Sequence, residues 1–377
     1  MFTALFLASA LVCGCGGGST SGGGGSNPPT QVATPTISTS AAQNGAVIVT
    51  LADSTSGAKV YYTLDGSTPS TASQQYQGPF LVASSITVKV VAAASGDTNS
   101  SVASQTFSPS IASGTLVWSD EFNNSGTSNL LPDSKVWTYD TGLGSQCCGN
   151  NELETYCAAG SSASPCDPNA PNAYIDTSGI LHIVGRNTSG TTYTSARLKT
   201  QGLVSFMYGR IEARMKLPES QGMWPAFWML GNNIVTISWP ACGELDVMEH
   251  IDGSNPPPYV GAPPPGYDWI AGSVHGGSSS AHLDGSEKYN PSGFSAAAWH
   301  TYGMIWTKGQ IQYYVDDPSN VYGTFNPATF GSPWPFDQGP QFIILNLAIG
   351  GDWPGNPNGT TVFPGDLQVD YVKVYTN

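Results

Sequence analysis

Cys242-Gly243-Glu244-Leu245-Asp246-Val247-Met248-Glu249-His250 places three carboxylates within six residues of a β-prone run. Side chains alternate faces along a strand, so Glu244 and Asp246 share one face and Glu249, five positions after Glu244, falls on the other. A β-bulge around Val247 and Met248 returns Glu249 to the face of Glu244 and lines up three acids along one wall of a cleft. Bulges are over-represented beside active sites. The competing reading is a solvent-facing edge strand with incidental acids. Charged residues make up only 10% of the chain, which argues against three of them meeting by chance beside Trp-rich segments.

Two glutamates flanking a scissile glycosidic bond are the equipment of a glycoside hydrolase, with the acid between them tuning their protonation. The segment resembles glycoside hydrolase family 16, in the bulged E-x-D-x-x-E form of its laminarinase-like branch and not the E-x-D-x-E form of its lichenase-like branch. The resemblance starts at Leu116-Val117-Trp118-Ser119-Asp120-Glu121-Phe122 and continues through Gly149-Asn150-Asn151-Glu152-Leu153, Thr194-Ser195-Ala196-Arg197-Leu198 and Tyr208-Gly209-Arg210-Ile211-Glu212-Ala213-Arg214. Further on it takes in Trp224-Pro225-Ala226-Phe227-Trp228-Met229-Leu230, Ile344-Leu345-Asn346-Leu347-Ala348-Ile349-Gly350-Gly351 and Val369-Asp370-Tyr371-Val372-Lys373-Val374-Tyr375. It implies an all-β fold: a β-jelly-roll sandwich with a concave, glycan-binding sheet.

By the same resemblance Glu244 is the nucleophile, Glu249 the acid/base, and Asp246 a hydrogen-bond partner of Glu244 that helps keep the pair in opposite protonation states. Spacing alone does not say which glutamate does which. Asn151, Glu152, Arg197 and His275 match positions that bind sugar hydroxyls. Sugar rings present apolar C–H faces to indoles, so Trp224 and Trp228, four residues apart on one strand face, are the expected subsite floor, with Trp353 as a further wall. His250 and His300 are assigned to structure. Glu121, the Gly179 carbonyl and Asp370 match a structural calcium site, and oxygen donors suit that ion; the alternative for Glu121 is a salt bridge within the sandwich. The chemistry itself calls for no cofactor. The expected substrate is a laminarin-like β-glucan cut internally at β-1,3 linkages. An agarase- or carrageenase-like galactan hydrolase and a non-catalytic β-glucan-binding protein are the alternatives, and retention of both glutamates speaks against the binder.

Composition narrows partners and compartment. The formal net charge is −14 and the few basic residues are scattered, which argues against nucleic acid or an anionic membrane surface. A neutral polysaccharide fits, and a monomer is expected. Residues 1–15 read as a signal segment whose Val12-Cys13-Gly14-Cys15 resembles a lipoprotein signal with Cys15 lipidated, although no Lys or Arg precedes the apolar run. An exported chain, anchored by lipid or secreted, follows. Of the seven cysteines, Cys147, Cys148, Cys157 and Cys166 crowd one loop-rich segment and read as two disulfides. Pairing Cys147 with Cys148 would make a strained ring, so each is expected to bond one of Cys157 and Cys166. Cys242 reads as a buried apolar residue.

Residues 16–30 form a Gly/Ser linker. Residues 31–108 show short β-branched runs (Ala46 to Leu51, Lys59 to Leu64, Ile86 to Ala92) punctuated by turns such as Asp65-Gly66-Ser67-Thr68-Pro69, which suggests a small immunoglobulin-like β-sandwich. Tyr61 to Pro69 followed by Tyr76-Gln77-Gly78-Pro79 resembles the module at the C-terminus of chitobiases, read here as a spacer. The catalytic domain is placed at 115–377. Within it Ile211, Ala213, Met215 and Leu217 face one way and Arg210, Glu212, Arg214 and Lys216 the other; Trp299 to Asp317 reads as a hairpin about Lys308-Gly309, and Pro256 to Pro265 as a loop at one end of the cleft.

Overall fold

The structure is a computed structural model that describes residues 29–252 and 268–377. The N-terminal linker, apart from its last two residues, and the proline-rich loop at 256–265 lie outside the described residues.

Two stacked antiparallel sheets make the first unit. One pairs Thr36–Ala41, Val47–Ala52 and Phe80–Val82; the other pairs Gln74–Gln75, Lys59–Thr63, Ile86–Ala93 and Ala103–Phe107. Alternation of β-branched and polar residues sends Val49, Leu51, Tyr62, Phe80, Val88 and Val90 inward to a shared core. The Asp65 turn closes as its sequence predicts: Ser67 donates its N–H and hydroxyl to Asp65 Oδ1 at 2.9 and 2.6 Å, and Gly66 takes a positive φ of 79°.

The larger unit is a sandwich of a seven-stranded and an eleven-stranded sheet. The seven strands run in the order Ala281–Tyr289, Ile270–Ser278, Glu244–Glu249, Met223–Gly231, Gln341–Ile349, Arg197–Lys199, Thr138–Asp140. Phe227, Met229, Leu245, Ile343, Leu345 and Leu347 of this sheet pack on Ile211, Ala213, Met215, Tyr302, Met304, Val369 and Val372 of the other. This is the jelly-roll sandwich expected, and it leaves the second face of the seven-stranded sheet free to build a site. The hairpin forms from His300–Thr307 and Gln310–Val315 about Lys308-Gly309. Glu212, read as outward-facing, is only 5% exposed, because Arg210 pairs with it and the Tyr314 hydroxyl donates to it at 2.5 Å.

The two units share a joint. The Leu81 N–H donates to the Ser205 carbonyl at 2.9 Å, the Ser205 N–H to the Pro79 carbonyl at 3.0 Å, and Ala46 and Leu81 enter the larger core.

The disulfide expectation is corrected. Cys147 bonds Cys148, and Cys157 bonds Cys166. Parallel pairing of Glu154–Tyr156 with Thr192–Ser195 fixes Cys157 beside Ser195, whose carbonyl accepts the Cys157 N–H at 2.8 Å. Tight turns at Ala158 and Ala163 then fold the chain back, so that Cys166 meets it at a Cα separation of 5.7 Å. Cys147 and Cys148 close the short helical turn Gly144–Cys147 and find each other. Cys242 is free and buried as expected, its thiol pushed up to about 12 by burial, which makes it inert.

Candidate active site

Strand pairing shows the bulge directly. Leu230 pairs with Glu244, Trp228 with Asp246 and Ala226 with Glu249, while Phe227 pairs with Met248 and Val247 has no partner in this ladder. The extra residue turns Leu245, Val247 and Met248 into the main core and sets Glu244, Asp246 and Glu249 in a row on the opposite face. Gly243, just before the strand, takes a φ of 81° that favours glycine and sits close against Pro335 and Phe336, 3.1–3.2 Å from where a Cβ would lie.

Each glutamate has its own indole. Trp239 Nε1 donates to Glu244 Oε2 at 2.7 Å, and Trp224 Nε1 to Glu249 Oε1 at 3.0 Å. His275 Nε2 stands 3.2 Å from Asp246 Oδ2 between them, and the His275 ring is hydrogen-bonded to His282 at 3.1 Å. Burial drives all three carboxyl groups upward. Glu244 is pushed up to about 8, mainly by burial and then by the Asp246 charge, with opposition from His275, the Trp239 indole and Arg197. Asp246, 3% exposed, is raised by burial and steadied by its hydrogen bond to Glu244. Glu249 is raised well above the usual carboxylate range by burial and by the charges of both other acids, offset only by His275 and the Trp224 indole. Burial and the charges of both other acids thus favour the protonated form of Glu249.

The remaining expected residues divide into three groups. Trp224 is half-buried at the Glu249 end, its ring 5.2 Å from that of Trp353, which in turn meets Trp269 at 5.9 Å. Asn151 is exposed on the rim and donates to both Asp352 oxygens at 3.0 Å, so the loops carrying Asn151 and Trp353 are tied together. Trp228 and Glu152 are buried, at 9% and 4% exposure, so Trp228, expected in the subsite floor, presents little free surface. The Arg197 guanidinium, held by Asp140 at 3.0 Å, lies over the Trp228 ring at 4.5 Å and covers it. Below it runs a hydrogen-bonded chain: Trp228 Nε1 to Asn346 Oδ1 at 2.7 Å, Asn346 Nδ2 to the Tyr156 hydroxyl at 3.2 Å, and that hydroxyl to Glu152 Oε2 at 2.9 Å.

Trp239, Asn346, Tyr156 and His282 were not singled out from the sequence. Asn346 carried a signal, a lone amide in the apolar run Phe342 to Ile349, which a buried strand tolerates only when it is hydrogen-bonded. Trp239, five residues before Glu244, carried a weaker one. His250 is structural, 2% exposed with Nδ1 2.7 Å from the Trp269 carbonyl, and His300 pairs with Asp316 at 2.9 Å.

Glu121, Gly179 and Asp370 converge along the backbone, since Gly179 abuts the Phe122 carbonyl and Asp120 pairs with Val372. The carboxylates, however, are engaged by cations: Glu121 by Lys373 at 3.2 Å and Asp370 by Arg214 at 2.6 Å. Among the described residues, Glu244, Asp246 and His275 alone bring three potential ligand atoms of His, Cys or carboxylate groups within 4.8 Å of one another. Hydrolysis by two carboxyl groups needs no metal.

A jelly-roll sandwich carrying three acids on a bulged strand, each outer acid held by an indole, agrees with the comparisons. The model for glycosyl hydrolases family 16 matches residues 171–373. The chain belongs to glycosyl hydrolase family 16. It is 38% identical over 273 residues to the β-glucanase of Rhodothermus marinus, a match spanning 69% of this chain and 84% of that protein. Among solved structures, the endo-β-1,3-glucanase of Pyrococcus furiosus is 37% identical with a TM-score of 0.54, covering 69% of this chain and 94% of that one. The catalytic domain of the Thermotoga petrophila laminarinase is 33% identical with a TM-score of 0.57, covering 71% and 99%. An Fn3-associated model matches residues 49–107, within the smaller sandwich. As a member of family 16, the chain is a glycoside hydrolase.

Proposed function

We propose that the protein is a retaining endo-β-1,3-glucanase of the laminarinase-like branch. The carrying observation is the bulge at Val247, which places Glu244 and Glu249 on one face with Asp246 between them. The endo-1,3-β-glucanase names of its relatives support the substrate. Glu244 attacks the anomeric carbon as the bond to the leaving oxygen breaks, and Glu249 gives that oxygen its proton. Glu249, now ionised, takes a proton from water as that water attacks the same carbon, and Glu244 is released. Asp246, beside Glu244 and braced by His275, disfavours a second charge in the row and keeps the proton on Glu249. Trp224 and Trp353 flank the Glu249 end with ring faces for sugar C–H groups. Product analysis on laminarin, lichenan and agarose side by side tests the reading: β-1,3-linked gluco-oligosaccharides from laminarin are expected, and galactan fragments from agarose with laminarin untouched would refute it.

The domain scheme is part of the proposal. Residues 1–15 act as an export signal, 16–30 as a tether, 31–108 as an accessory sandwich of the type found at the C-terminus of chitobiases, and 115–377 as the catalytic domain. Cys15, outside the described residues, is the proposed lipidation site, and Cys15→Ser should move the protein from membrane to soluble fractions; unchanged partitioning contradicts this. The oxygen donors of Glu121, Gly179 and Asp370 suit a structural calcium that would compete with Lys373 and Arg214 for the carboxylates. Added calcium should then raise the melting temperature and chelator reverse it, while an identical melt in both rules the ion out.

A further inference from the structure

The joint between the two sandwiches closes a second groove beside the cleft. Tyr61 and Gln74 of the smaller sandwich face Asn233, Thr236, Ile237 and Gln338 of the larger one around a depression of about 350 Å³, at the lower end of the ~300–1,000 Å³ of ligand pockets. No Asp, Glu, Lys, Arg or His lines it. Amides and hydroxyls supply both donors and acceptors, and Tyr61 supplies a ring. Val235 and Ile237, 60% and 44% exposed, add an apolar edge on the helical turn Ile234–Ile237. Such a lining suits a neutral polyhydroxylated chain, whose C–H faces settle on apolar surface and whose hydroxyls pair with amides. It offers no counter-charge for a sulfated or phosphorylated polymer.

Position ties the groove to the active site. Ile237 lies two residues before Trp239, whose indole bonds Glu244 at 2.7 Å, and two residues of chain span at most about 7 Å. The two sides are also held together: the Gln74 amide packs so closely on Gly339, next to Gln338, that a Cβ there would meet it at 3.1 Å, and elsewhere along the joint residues 79–81 and Ser205 are joined by backbone hydrogen bonds.

We propose that this groove is a distal subsite, built jointly by the accessory and catalytic sandwiches, that holds the β-glucan chain beyond the cleft at the Glu244 end. The proposal rests on the β-glucan reading above. In the full chain, Tyr61→Ala and, separately, Gln338→Ala should raise KM for laminarin about fivefold, a loss typical of one packed side chain, and leave kcat unchanged. On an aryl β-glucoside, a single sugar held at the cleft, both parameters should stay at the parent values. Unchanged KM for laminarin in both variants overturns the proposal, and so does an equal loss on polymer and aryl glucoside, which marks a general structural effect. Affinity electrophoresis in gels containing laminarin or agarose separates the two readings. If the parent does not cleave laminarin but is retarded by it, and Tyr61→Ala abolishes that retardation, the catalytic reading has failed and the groove stands. Retardation identical in parent and variants removes the groove whatever the cleft cleaves.

Discussion

Replacing Trp239 by Phe tests whether the indole at the Glu244 end tunes the nucleophile or merely lines the cleft. Phe keeps a ring beside His275 and His282 and removes the N–H that Glu244 Oε2 accepts at 2.7 Å. A hydrogen bond to a charged group contributes about 1.5–3 kcal/mol when well shielded. Trp239 is 46% exposed, so about 1–1.5 kcal/mol is the reasonable figure here, water replacing part of the lost bond. At 1.36 kcal/mol per pKa unit this is a shift of roughly one unit. Its sign follows from which form the donor stabilises: the indole favours the ionised carboxylate, so its loss raises the Glu244 pKa further above the value of about 8 to which burial already pushes it. The kcat/KM profile for laminarin, taken over roughly pH 4 to 10, reports this ionisation in its acid limb. The limb should move upward by about one unit, with activity below it falling up to about tenfold and the oligosaccharide product pattern unchanged. A lowered plateau over an unmoved acid limb would refute the reasoning and leave Trp239 as a wall.

Three further outcomes are expected. Glu249 has a folded pKa raised above its unfolded value near 4.3, so the native state binds more protons than the unfolded chain between those values and stability falls as pH rises through that window. Glu249→Gln removes this loss, so thermal melts should show the variant at least about 3 °C more stable than the parent at pH 8 and level with it near pH 4, whereas equal melts at both pH values contradict the buried-charge account. Peptide mapping of the unreduced chain should recover a Cys147–Cys148 link and a Cys157–Cys166 link with Cys242 alkylated, and any crossed pairing would overturn the arrangement. Removing residues before 114 should leave turnover of short oligosaccharides nearly intact but lower the melting temperature by several degrees, because Leu81 and Ala46 leave the larger core at about 1.5–3 kcal/mol for a buried Leu; an unchanged melt would mean that the joint is energetically idle.

Much of the site could be read because local chemistry specified it. Three acids in a β-prone run require a bulge if they are to act together, and the unpartnered Val247 supplies it. The inward row Ile211, Ala213, Met215 and Leu217 was equally legible, since period-two burial is a local property of a strand. What escaped depends on chain segments far apart in sequence. Trp228 lies under Arg197, a residue from two strands away across the sheet, and no local pattern announces that cover. Glu212 looked outward until Arg210 and Tyr314 gave it partners. The cysteine pairing was misread because the parallel strand contact that fixes Cys157 joins segments about forty residues apart, as in Tyr156 with Ser195.

The assignment of Glu244 and Glu249 to different steps is tested most directly by azide rescue of Glu244→Ala and Glu249→Ala on an aryl β-glucoside-type substrate with a good leaving group. Such a substrate needs little help from an acid, so Glu249→Ala should keep the glycosylation step, be accelerated by azide and yield a β-glycosyl azide, while Glu244→Ala should lose about 10⁴-fold in turnover and, when rescued, yield the α-azide. Exchanged configurations would reverse the two roles, and near-parent activity on laminarin in either variant would contradict the claim that this bulged strand is the catalytic one.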